Sequence, residues 1–134
     1  MILEEIKTEF DDIVAIYNND VFKDRNKDLL HEYSDRFTKL YKEIGPHCSE
    51  TYGYRTMHDD KAASAIKARI ARGLMETEKM TWNKAESLAA ASQEYTDFLQ
   101  ERVFYYESWD SVDHLRNTIK QYIINIGLKI SSMP

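Results

Sequence analysis

The 134-residue chain is poor in the residues that punctuate or staple a fold: one Cys, two Pro and four Gly. One Cys excludes a disulfide framework. A reducing compartment suits Cys48, whether as a plain small residue or as a free thiol. So little Gly and Pro argues against a turn-dense β-sandwich and leaves no room for a Gly-rich phosphate loop. No apolar run approaches the ~18 residues of a membrane helix. The start, Met1-Ile2-Leu3-Glu4-Glu5, lacks the basic and apolar regions of a signal peptide. The expectation from these absences is a cytoplasmic chain with no membrane partner. Aromatics are not scarce, with nine Tyr, five Phe and two Trp, so the composition is not that of a disordered chain. The length fits one domain, or one domain plus an arm, and is enough to bury a core.

The net charge is small but unevenly distributed. The net charge of −5 argues against a broad basic surface. Residues 61–72 nevertheless hold Lys61, Lys67, Arg69 and Arg72 with no acid, a local +4 that leaves −9 for the remainder. Any polyanion contact belongs in this segment.

Helical periodicity dominates. Leu3, Ile6, Phe10, Ile13 and Tyr17 recur at alternating spacings of 3 and 4 and predict a helix over 2–18, ended by Asn18-Asn19-Asp20. Leu30, Tyr33, Phe37, Leu40 and Ile44 repeat the pattern over 26–44, with Asn26 as cap and Gly45-Pro46 as the expected stop. Residues 46–60 read as either more helix or a loop. Asp59 or Asp60 caps a third, Ala-rich helix from Lys61 to about Leu74, with Ile66, Ile70 and Leu74 as its apolar edge. Thr81 caps a fourth segment. From Ser92 to Ile126 the seam Tyr95, Phe98, Arg102, Tyr105, Trp109, Val112, Arg116, Ile119, Ile123, Ile126 predicts either one helix of roughly 50 Å or two stacked helices broken near Ser108–Ser111. The expected fold is all-α. Residues 1–80 hold the N-terminal helices, and 81–130 form a long homo-oligomerisation region presenting Tyr105, Trp109, Val112, Ile119 and Ile123.

Catalytic signatures are missing: no GxGxxG, no P-loop, no Cys-x-x-Cys, no Glu-x-x-His. His58-Asp59-Asp60 looks like a metal half-site, but a helix N-terminus uses the same residues. His47-Cys48 and Asp110/His114 fit structural roles better than chemical ones. The expectation is no catalysis, no cofactor and no metal. The basic segment fits either a solvated helix face or a contact for a single strand, the latter favoured by Lys79, Trp82 and Lys84 downstream. On a regular helix Lys67 and Arg69 lie ~200° apart. They meet one strand only on a distorted helix or between subunits.

Several short motifs together resemble the UvsY recombination mediators of large tailed bacteriophages. Leu3-Glu4-Glu5-Ile6 is similar to that family's opening, and Ile66-Lys67-Ala68-Arg69-Ile70 resembles its aliphatic-Lys-Ala-Arg-aliphatic motif. Lys84-Ala85-Glu86 resembles a Lys-Ser-Glu step. Tyr106 and Trp109 resemble its Tyr-Trp pair, with Gly127 eighteen residues beyond and Leu128-Lys129-Ile130 after it. Ala71 and Arg72 stand where the family has tyrosines. The resemblance implies a non-enzymatic, all-helical, ring-forming homo-oligomer that binds single-stranded DNA. It implies loading of a RecA-like recombinase onto DNA covered by single-stranded-DNA-binding protein, with Lys67 and Arg69 on the DNA and Arg72 and Lys61 in support. A helical coiled-coil interaction or assembly protein with no DNA role is the alternative.

Overall fold

In a computed structural model, which describes residues 1–134, the chain is 87% helical and has no strand. Five α-helices follow in order: α1 (Leu3–Asn19), α2 (Lys27–Thr56), α3 (Asp60–Glu78), α4 (Trp82–Ala90) and α5 (Gln93–Ser131), with a 3₁₀ turn at Lys23–Arg25. The chain forms one compact unit of residues 1–50 and 110–134 and another of 51–109.

The first unit is built on the apolar stripes read from the sequence. Ile6, Phe10, Ile13 and Tyr17 of α1 are buried with Leu30, Tyr33, Phe37, Leu40 and Ile44 of α2 and Val112, Ile119 and Ile126 of α5. The Phe37 ring stacks on Tyr122 at 4.9 Å and meets Phe10 and Tyr17 edge-on at 6.1 Å each. Such aromatic pairs add to the stabilisation from buried area alone. Asp20 ends α1: one carboxylate oxygen accepts the Phe22 amide at 3.0 Å and the other accepts the Tyr33 hydroxyl at 2.7 Å. The Asn26 side chain accepts the Leu29 amide at 3.1 Å and caps α2.

The Asp20–Tyr33 bond makes stability depend on pH at both extremes. The Tyr33 hydroxyl holds Asp20 below its ordinary value. Burial, then the bond to Asp20, pushes the Tyr33 phenol from 10.0 up to about 12. Asp20 stabilises the fold above the usual carboxylate range, and that contribution is lost as pH falls. Tyr33 stabilises it below pH 10, and that contribution is lost as pH rises towards 12. The urea midpoint of the parent is expected to fall over this alkaline range more steeply than that of Tyr33→Phe.

Two expected helix ends are corrected. Helix α2 does not stop at Gly45-Pro46 but continues to Thr56 with Pro46 inside it. Proline removes the amide that would bond the Lys42 carbonyl, a local cost of ~3 kcal/mol. Ile44 before it is fully buried, and Cys48 after it packs on the same core. Tertiary packing on both flanks outweighs the local preference, and Gly45 uses no positive φ. Likewise α3 runs through Gly73 to Glu78 and ends on Lys79 in the left-handed region, φ 52°. Helix α5 is one 39-residue helix rather than two.

The second unit is held differently. Ala71, Ala85 and Ala89 are completely buried, with Ile70, Leu74 and Met80 around them. Methyl-sized side chains let α3 and α4 approach closely. Asp59 caps α3, its carboxylate accepting the Ala62 amide at 2.8 Å. Ser92 caps α5, its hydroxyl oxygen accepting the Tyr95 amide at 3.2 Å.

Candidate nucleic-acid interface

The four cations of 61–72 lie along α3, but its surroundings are not free of acid. The Ala-mediated approach of α4 places Glu86 Oε1 3.7 Å from Lys67 Nζ. The first turn of α5 brings Glu94 to Arg69 as an ion pair. The uncompensated charge expected from the sequence is thereby corrected: acids distant in the chain meet the two cations that the Lys-Ala-Arg motif singles out. Lys67 and Arg69 pair with acids from different helices, which agrees with their angular separation on α3. Lys61 and Arg72 are exposed and enter none of the unit's ion pairs. Lys79, Trp82 and Lys84 are also exposed.

These ion pairs do not seal the site. The Arg69 and Glu94 side chains are 62% and 58% exposed, and Lys67 is 32% exposed. Solvated pairs of this kind are worth about 0–1 kcal/mol. A phosphate can replace a carboxylate at either cation.

The end of α2 and the middle of α5 bring cations and rings together. The Arg55 guanidinium lies 4.5 Å from the Tyr106 ring centre and 4.9 Å from that of Trp109. Arg102 lies 5.1 Å from Tyr106 on its other contact. Tyr52 approaches Trp109 at 6.1 Å, and Tyr54 stacks on Tyr105 at 5.2 Å. The sequence reading missed this cluster. Its signal was the spacing Arg102, Tyr106, Trp109 on α5, facing Tyr52 and Arg55 three residues apart on α2.

The candidate metal half-site is taken apart by the fold. Asp59 is the α3 cap. Asp60 pairs with Arg102, whose guanidinium pKa the bond raises further. His58 is buried between Phe98 and Tyr105, at 5.0 and 4.5 Å between ring centres. Its Nδ1 donates to the Tyr54 carbonyl at 2.8 Å, and its Nε2 lies 3.5 Å from Glu101. No group of three or more His, Cys, Asp or Glu comes together that could hold a metal ion. His47 Nε2 binds the Met1 carbonyl at 2.8 Å, and burial pushes the neighbouring Cys48 thiol up. Asp110 and His114 are exposed on α5.

The oligomerisation residues are also redistributed. Val112 and Ile119 do not lie half-covered on a lone chain; both are core residues of the first unit, and Ile123 packs against them. Tyr105 and Trp109 are half-buried against α2. The apolar side chains that α5 leaves exposed are Val103, Phe104, Ile124 and Leu128. No helix is long and apolar enough to cross a membrane.

Comparison with protein-family models, with curated proteins and with solved structures returns no match to this chain.

Proposed function

We propose that the protein is a single-stranded-DNA-binding recombination mediator, a non-enzymatic homo-oligomer that loads a RecA-like recombinase onto DNA covered by single-stranded-DNA-binding protein in the host cytoplasm. The observation that carries this is α3. Its solvent-facing side carries two unpaired cations, Lys61 and Arg72, and two more, Lys67 and Arg69, in solvated pairs that a phosphate can displace. The resemblance of Ile66-Lys67-Ala68-Arg69-Ile70 to the family motif supplies the rest of the reading. One exposed cation–phosphate pair is weak. A ring of subunits on one strand multiplies it through effective concentration.

The neutralisation of Lys67 by Glu86 and of Arg69 by Glu94 favours a second reading, a helical assembly protein with no DNA role. Titration of a labelled single-stranded oligonucleotide across salt concentrations separates the two. Binding is expected at low salt and is expected to fall linearly in log K against log salt. Lys61→Ala with Arg72→Ala is expected to lower affinity by about tenfold and flatten the slope by roughly 1.4, with helix content unchanged. No binding by the parent at low salt would leave the assembly-protein reading standing.

A further inference from the structure

We infer that the end of α2 and the middle of α5 form a base-stacking platform for single-stranded nucleic acid, with Tyr52 as its exposed face and the Arg102–Tyr106–Arg55–Trp109 stack beneath and beside it. This rests on the single-stranded-DNA reading and adds to it a second contact, chemically different from the α3 cations.

Four observations carry it. Tyr52 and Tyr54 are 55% and 41% exposed at the end of a helix whose earlier aromatics Tyr33 and Phe37 are buried and Tyr41 partly so. Rings on a soluble surface with open faces are suited to stacking, and a base offers a π-face whatever its identity. Cations and rings alternate, Arg102 beside Tyr106 and Arg55 between Tyr106 and Trp109. Arg55 enters none of the ion pairs of the unit. Its Nε is buried without a hydrogen-bond partner, so its positive charge stands without an acid partner against the half-buried rings of Tyr106 and Trp109. Finally, Arg102 pairs with Asp60, the residue before Lys61. The platform therefore runs into the N-terminus of α3 and its unpaired cation. A strand crossing here would stack bases on Tyr52 and present phosphates to Arg55 and Lys61. A protein segment docking on the same rings would lack the dependence on nucleic acid measured below.

The test titrates the unmodified protein with labelled oligothymidylate to read affinity, and separately titrates a chain carrying Trp82→Phe, which leaves Trp109 as the one indole, to read emission. Quenching of Trp109 emission on binding is expected. Tyr52→Ala is expected to weaken binding by about tenfold. Because it removes no charge, it should leave the salt slope unchanged, unlike Lys61→Ala with Arg72→Ala. Tyr52→Trp, tested for affinity alone, should restore binding. Helix content read by circular dichroism should stay at the parent level, since Tyr52 is outside both buried clusters. If the parent binds oligothymidylate while Tyr52→Ala binds equally well, or Trp109 emission does not respond, the platform is wrong and the DNA reading stands. If the parent does not bind, both are wrong.

Discussion

Ile119→Asp is expected to unfold the first unit at room temperature. Ile119 is fully buried among Phe10, Phe37, Val112 and Ile126 and their neighbours. Removing the isoleucine costs about 2–5 kcal/mol in lost burial and cavity. Placing a carboxyl group there adds a further 1–3 kcal/mol or more, because it finds no partner. Domains hold a margin of about 5–15 kcal/mol, so a sum of about 3–8 kcal/mol, raised further where the carboxyl ionises, removes most or all of the lower part of that range. Loss of the cooperative urea transition and of most helical circular dichroism checks this. Leu128→Asp is the control. Leu128 sits on the same helix at 64% exposure, and its substitution should move stability by no more than about 0.5 kcal/mol. A folded, stable Ile119→Asp would overturn the core described here. Assembly is therefore better probed at Ile124 and Leu128, where a loss of subunit contacts is not confounded with a loss of the fold.

The contrast between these two positions shows what periodicity can and cannot reveal. The stripes of α1 and α2 are legible because one apolar side chain every three or four residues has a single packing solution. Nine of the ten stripe residues are in the core, and the tenth, Leu3, is partly buried against it. The same pattern marks Val112 and Ile119 as seam residues but does not say which helix covers them. A seam facing α1 and α2 of its own chain reads like one facing another subunit. Local stop signals are weaker still. Gly45-Pro46 fails to end α2 because packing on both sides outweighs it. Ser108 fails to break α5 because its hydroxyl donates to the Phe104 carbonyl at 2.8 Å within the helix. The α3–α4 core was only half-visible, since Ala71, Ala85 and Ala89 carry little hydrophobic signal and act through their smallness. Of the candidate interface, the cations were legible and their acids were not. Arg69 and Glu94 are 25 residues apart, and no spacing rule joins them.

Those acids set the last expectation. Glu86→Lys with Glu94→Lys should raise affinity for single-stranded DNA by on the order of a hundredfold at low salt and steepen the salt slope. Each substitution frees one cation, Lys67 or Arg69, and supplies another beside it, so up to four more phosphates can be neutralised per subunit. At about 1 kcal/mol or less per exposed contact, four contacts account for an effect of that size. Stability should move the other way. Glu94 lies in the first turn of α5, where a carboxylate suits the positive helix pole and a lysine does not, at about 0.3–1 kcal/mol. Two solvated ion pairs become like-charge contacts at a similar cost each. A variant that binds more tightly while melting at lower temperature separates an electrostatic gate on α3 from general improvement of the fold. Anisotropy with a labelled oligonucleotide and thermal melts by circular dichroism read the two directions independently. Unchanged DNA affinity in the folded variant would mean that α3 does not face the strand. Glu86 and Glu94 would then be the structural partners of Lys67 and Arg69, and the assembly-protein reading would be the better account of the chain.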